Sequence, residues 1–143
     1  MLDTGATTLW ESWDFPHTSP SRNHPMFGSI DEWFFRSVLG INATSPGFAT
    51  VRIKPQPAGD LTWAKGGYYS VRGVFYSDWK KENNNFRLRV IIPANTKAEV
   101  WIPAKENGTI TEKGQPVKVS RYENGYAVIQ SVSGEYEFLS VQN

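Results

Sequence analysis

Residues 5–13 read GATTLWESW and place a carboxylate, Glu11, between two indoles, Trp10 and Trp13. Residues 21–29, SRNHPMFGS, then supply Arg22, Asn23 and His24. A carboxylate beside aromatic faces has the make-up of a sugar site. The carboxylate takes a proton from water, the aromatics cover apolar ring faces, and the neighbouring polar groups hold hydroxyls. The same residues also have a structural reading. Thr8-Leu9-Trp10-Glu11 matches the capping box, in which the glutamate reaches back to the N-cap backbone N–H. Residue types alone leave both readings open.

The elements that must position these groups follow from periodicity. Residues 5–13 are expected to start a short helix, with Thr7 or Thr8 as N-cap and Glu11 in the first turn, where the helix dipole favours an acid. Residues 14–20, DFPHTSP, form a loop by their two prolines, with His17 as a solvated loop residue. A second helix follows, with Pro25 in its first turn and Gly40 as C-cap. Phe27, Ile30, Phe34 and Val38 fall at helical spacing, widened by Trp33 and Ile41, and this stripe reads as core. Glu32 and Arg36 form an i,i+4 pair on the other side.

Near Pro46 the hydrophobic period changes from helical to alternating. Residues 48–53 alternate and end at Pro55 and Pro57. Residues 61–64 read as a short strand, and Tyr69, Val71, Gly73 and Phe75 as one face of the next. Asn83-Asn84-Asn85 is a turn. Phe86, Leu88, Val90 and Ile92 make a half-buried strand with Arg87 and Arg89 outside. Pro93-Ala94-Asn95 turns into Ala98, Val100 and Ile102, and residues 105–108 turn again. Val117 and Val119 precede Asn124-Gly125, a strong hairpin signal. Tyr126 and Val128 continue, and residues 136–141 close the chain. Strands and turns at this spacing predict an antiparallel β-sandwich.

Composition narrows the function classes. The chain has 143 residues, 39% hydrophobic and 14% aromatic with six Trp, enough for a folded domain with a core. Fifteen basic residues against 14 acidic give a net charge of +1, so neither nucleic acid nor an anionic membrane is an expected partner. No apolar run reaches the length of a membrane span. Cysteine is absent and there are only two histidines, His17 and His24. A disulfide and a thiolate metal site are therefore excluded and a His-rich metal site is not expected; oxygen ligands leave calcium open, though without an Asp-rich loop of the EF-hand kind, and no cofactor is expected. Asn42-Ala43-Thr44 and Asn107-Gly108-Thr109 match the glycosylation acceptor pattern by chance.

GATTLWESWD, then SRNHPMFGSIDEWFFRSVLGI, then PGFATVRIKPQPAGDLTWAKGGYYSVRGVFYSDW, resembles the C-terminal end of bacterial α-L-rhamnosidases. The resemblance runs from Met1 to about Ala104. Those enzymes are inverting glycoside hydrolases with an (α/α)6-barrel followed by a β-sandwich. The implied fold is mainly β: an antiparallel sandwich preceded by two short helices left from the barrel. The implied domains are residues 1–44, the last barrel helices, and residues 45–143, the sandwich. The resemblance assigns Glu11 as general base, with His24 in the Asn23-His24 pair contacting rhamnose and Trp10 and Trp13 walling the sugar. The general acid is expected upstream in the barrel, with Asp14 a structural or hydroxyl-binding group. The expected partners are rhamnose-containing glycosides or polysaccharides and the rest of the chain's own barrel.

On this reading the chain starts inside a domain. It is a C-terminal fragment, inactive alone, and its compartment stays open among secreted, periplasmic and cytoplasmic. Two non-catalytic readings stand beside it. The sandwich is a carbohydrate-binding module with Trp63 or Trp101 as platforms, or it is a structural clamp on the barrel. Burial of Trp63, Trp79 and Trp101 discriminates between them, and buried core aromatics are the default.

Overall fold

The computed structural model describes residues 3, 5–12, 21–106 and 108–141. Trp13, Asp14, His17 and the loop assigned to residues 14–20 lie outside them, as does Asn107. The chain divides into two compact units, Met1–Trp33 and Phe34–Asn143.

In the first unit, residues 5–12 are a turn, bends and irregular chain, and the short helix expected there does not begin within them. A 3-10 turn, Pro25–Ser29, is followed by the α turn Ile30–Trp33 (α1). Pro25 opens the first turn, where a missing N–H costs nothing. Phe27, Ile30 and Trp33 are 49%, 52% and 41% exposed, so the stripe assigned to a core is largely uncovered. Helical periodicity reports a face suited to burial, but the covering element need not lie in the same segment.

The second unit opens with a π turn, Phe34–Val38, in which the Leu39 N–H donates to the Phe34 carbonyl at 2.9 Å. Of the predicted stripe Phe34 is exposed, whereas Val38 and Ile41 are buried. Gly40 ends the turn with a φ of 76°, as the C-cap reading expects. A side chain is also excluded there, because a Cβ would stand 2.1 Å from the carbonyl carbon of Lys54.

Among the described residues nine strands follow in one sheet: β1 Ile41–Ala43, β2 Thr50–Ile53, β3 Trp63–Ser70, β4 Gly73–Glu82, β5 Asn85–Pro103, β6 Ile110–Glu112, β7 Gln115–Pro116, β8 Arg121–Glu123 and β9 Tyr126–Val141. The first half of β5 pairs with β4 on one side and with the second half of β9 on the other. The second half of β5 pairs with β2 and with the first half of β9. Leu88 and Val90 from one half share a single core with Val100 and Ile102 from the other. The sheet therefore folds over on itself into two layers. Seven of its eight strand pairings are antiparallel; β2 with β5 is parallel, a departure from the expected pattern that requires a crossover through residues 54–84.

Two local readings change. Tyr69 and Phe75 do not share one strand face. The chain reverses at residues 71–72, Ser70 pairs with Gly73, and the two side chains fall on opposite faces. A two-residue turn interrupts a strand without interrupting the hydrophobic content around it. Likewise Pro93-Ala94-Asn95 does not reverse the chain. It is an irregularity inside β5, between Ile92 and Lys97, with Asn95 at φ 58°. Asn124-Gly125 is the hairpin turn expected, with both φ values positive at 50° and 79°.

Two stretches of the third quoted sequence block meet in space. Phe48 of the Pro46-Gly47-Phe48 turn stacks on Tyr68 at 5.0 Å and tilts against Phe75 at 5.5 Å. Arg72, in the β3–β4 turn, donates to the Gly47 carbonyl at 2.8 Å and the Asn95 carbonyl at 3.0 Å. These blocks are thus structural fasteners within the sandwich.

At the centre of the core Trp79 is fully buried, stacks on Phe86 at 5.7 Å and donates its indole N–H to the Val38 carbonyl at 2.8 Å. Trp79→Phe should cost about 2–4 kcal/mol, combining an unsatisfied buried carbonyl with lost packing. A urea denaturation midpoint unchanged from wild type would contradict this. On the opposite face Trp101 is also buried, under Lys54, Arg121 and Arg52 at 4.3, 5.1 and 5.4 Å from its ring. Beside it Glu99 takes a bidentate pair of hydrogen bonds from Arg121 at 3.1 and 3.2 Å. The Arg121 bonds hold the Glu99 carboxyl down to about 2; burial opposes this, and bonds from Gln130 and the Trp101 indole assist. A carboxyl depressed in the folded state stabilises fully above its unfolded value, about 4.3. That contribution is lost as pH falls from there through about 2. The thermal-midpoint advantage of wild type over Glu99→Gln should be full near neutral pH and shrink across that window.

Candidate active-site segment

Irregular chain at residues 8–11 lies against residues 21–24. The His24 N–H donates to the Leu9 carbonyl at 2.7 Å and the Glu11 N–H to the Ser21 carbonyl at 3.2 Å. The Thr8 hydroxyl donates to the Arg22 carbonyl. The capping-box reading therefore fails within the described residues. No helix begins at Thr8, and its hydroxyl serves this cross-chain clamp. A threonine hydroxyl satisfies a nearby backbone group in either setting, so the motif could not tell them apart.

The clamp brings two of the site residues together. His24 Nε2 lies 3.8 Å from Glu11 Oε1, with the side chains 22% and 45% exposed. That distance is beyond a hydrogen bond and within ion-pair range. The other ring nitrogen, Nδ1, is 2.7 Å from Ser21 Oγ. The imidazole also stacks on Phe27, with centroids 5.4 Å apart and planes 30° from parallel. His24 is thus held by a backbone bond, a hydroxyl and an aromatic face. Asn23 is exposed next to it. Trp10 is buried, and the Arg22 guanidinium lies 5.9 Å from its ring centroid. An exposed carboxylate beside a fixed imidazole can accept a proton from water while the ring nitrogen meets a hydroxyl.

Ser21 and Phe27 were not among the residues singled out for chemistry. Ser21 lies three residues before His24, where a small hydroxyl can reach the ring, and that spacing was the available signal. Elsewhere, a cavity of about 290 Å³ is lined by Phe34, Phe35, Val38, Leu39, Ala64 and neighbouring backbone, with no carboxylate to act on a sugar.

Residues 40–117 match the family model for the bacterial α-L-rhamnosidase C-terminal domain, and residues 1–38 match that for the bacterial α-L-rhamnosidase six-hairpin glycosidase domain. The chain belongs to the bacterial α-L-rhamnosidase family. An α-L-rhamnosidase from Streptomyces avermitilis is 34% identical over 96% of this chain, which covers 14% of that protein. One from Formosa agariphila is 30% identical over 96% of the chain, covering 16% of its length. The solved α-L-rhamnosidase from Dictyoglumus thermophilum superposes with a TM-score of 0.84 at 34% identity, over 99% of this chain and 17% of its own. The Streptomyces avermitilis structure, complexed with L-rhamnose, gives 0.78 at 33% identity over 96% and 14%. The chain thus spans about one-sixth or less of the length of these relatives. The mainly β fold expected from the resemblance agrees with them.

The clamp makes a direct prediction. In hydrogen exchange, the amides of Glu11 and His24 should be protected together, because each closes one rung of the same pairing. Exchange of both at the free-peptide rate would show that the clamp does not persist in solution.

Proposed function

We propose that this segment supplies the general base of an α-L-rhamnosidase, and that the base is Glu11. The observation supporting it most is the approach of His24 Nε2 to within 3.8 Å of a half-exposed Glu11 carboxylate. In an inverting reaction the base removes a proton from water as the water attacks the anomeric carbon, while an acid protonates the leaving oxygen from the opposite side. Glu11 takes that proton. His24 and Asn23 hold sugar hydroxyls, and Trp10 and Trp13 wall the ring. The substrate is terminal α-L-rhamnose, in line with the L-rhamnose named for the Streptomyces avermitilis relative. The acid belongs to a barrel upstream, so the 143 residues alone do not hydrolyse glycosides. Residues 1–44 belong to that barrel and residues 45–143 form an accessory sandwich.

The clamp reading of the sandwich draws support from its tryptophans. Trp79 and Trp101 are buried and Trp63 is 57% exposed, so the three form no exposed planar row for a polysaccharide.

The test is Glu11→Gln in the full-length enzyme carrying this segment. Gln keeps the size and an acceptor oxygen but cannot take the proton, so kcat should fall about 10²–10⁴-fold with folding and sugar binding retained. Added azide should restore turnover by replacing water and yield the glycosyl azide of inverted configuration. His24→Ala should chiefly raise KM. An unchanged kcat in Glu11→Gln would end the assignment.

A further inference from the structure

We infer that Arg52 and Lys54, beside the Trp101 indole, form a binding site for a single oxyanion, a carboxylate or sulfate group borne by a sugar or free in solution. The site does not involve Glu11 and holds whichever role that residue has. Arg52 and Lys54 flank Ile53, which is fully buried, so the two-residue repeat sends both away from the core. The Lys54 ammonium lies 4.3 Å from the centre of the Trp101 ring and 4.6 Å from that of Tyr126. Those two rings meet edge to face at 6.1 Å. The Arg52 guanidinium lies 5.4 Å from the Trp101 ring. Aromatic faces thus hold both cations in place. Trp101, covered by them, offers no open face for stacking a sugar, so recognition here is by charge.

What the two cations lack is an acceptor. Arg52 stands opposite Glu99 in the β2–β5 register, where opposite charges ordinarily pair. The pair does not form, because both Glu99 oxygens are taken. Oε1 accepts from Arg121 and Gln130, and Oε2 accepts from Arg121 and the Trp101 indole. The Arg121 Nε donates to Glu123 instead. Among the described residues the side chains of Arg52 and Lys54 therefore make neither a hydrogen bond nor an ion pair. An aromatic face attracts their charge but leaves their N–H donors available. Around the indole the cations Arg52, Lys54 and Arg121 face two carboxylates, Glu99 and Glu123, so the local balance is positive. An oxyanion corrects that balance and accepts charge-assisted hydrogen bonds from both unpaired cations. The planar guanidinium matches two oxygens of a carboxylate or sulfate, and the ammonium adds a point charge.

The test is a titration of the 143-residue chain at constant ionic strength, following the Trp101 indole N–H by NMR and assigning it with Trp101→Phe. Sodium sulfate and sodium D-glucuronate are the probes, and D-glucose is the neutral control. At least one anion should shift the indole signal saturably, and glucose should not. Tighter binding of glucuronate than of sulfate assigns the oxyanion to an acidic sugar; equal or weaker binding assigns it to a free ion. Arg52→Gln and Lys54→Met should each weaken binding about tenfold, as expected for one charge-assisted hydrogen bond. Lys65→Met, in β3, should leave it unchanged. Lys54→Met uncovers part of Trp101, so if it does not fold, Arg52→Gln, at an exposed position, decides by itself. The absence of a saturable shift with either anion in wild type would overturn the inference, as would equal affinity in wild type and Arg52→Gln. Full activity in Glu11→Gln would remove the base assignment and leave the oxyanion site standing.

Discussion

The pairing of β5 with β9 is the constraint on which the sandwich depends. Two strands of 19 and 16 residues run antiparallel along nearly their whole length. Each is too long to stay flat in a small domain, and both depart from regular geometry at the same level. Ile92 pairs with Gly134, whose φ is 150°, next to the irregularity that ends at Lys97. Bending the two strands together turns one sheet into two layers and encloses an apolar core without a separate sheet-to-sheet connection. The remaining strands add to either half of this ladder.

The irregularity is braced from outside. Arg72 spans the Gly47 and Asn95 carbonyls, so the β3–β4 turn, the loop before β2 and the bend in β5 hold one another. Phe48, at a positive φ of 57°, has its ring on Tyr68 and Phe75. A bulky residue in that backbone region is unfavourable, and packing on both sides offsets the cost. The glycine-rich and aromatic words of residues 46–48 and 66–75 therefore belong to folding.

The site is organised by a different economy of contacts. Among the described residues, neither Glu11 nor His24 lies within a helix or strand. Two backbone rungs, a threonine hydroxyl and a serine hydroxyl hold two irregular segments in register. A loop carries unpaired backbone polar groups that must be satisfied somewhere, and here their satisfaction also fixes the chemistry-bearing side chains. The exposed Phe27, Ile30 and Trp33 belong to the same unit, and all three fall within residues 1–38, which match the six-hairpin glycosidase domain model.

Local chemistry was enough to read the change of period near Pro46, the buried alternation of Phe86, Leu88, Val90 and Ile92, the Asn124-Gly125 turn and the Gly40 cap. Each is decided by backbone dihedrals or by the two-residue repeat of a strand, which neighbouring residues specify. Residue types also marked Glu11 and His24 for attention, but not whether they meet. Three things were left to tertiary structure. The Thr8–Glu11 pattern fits a helix cap as well as a clamp, and only the partner segment of residues 21–24 distinguishes them. Pro93-Ala94-Asn95 has turn chemistry, yet pairing with β9 on both sides keeps it inside one strand. Ser21 is an ordinary serine until the Glu11 N–H and the His24 ring arrive on either side of it. Hydrogen bonds between segments distant in sequence made these choices, and a local pattern contains no information about a partner it has not yet met.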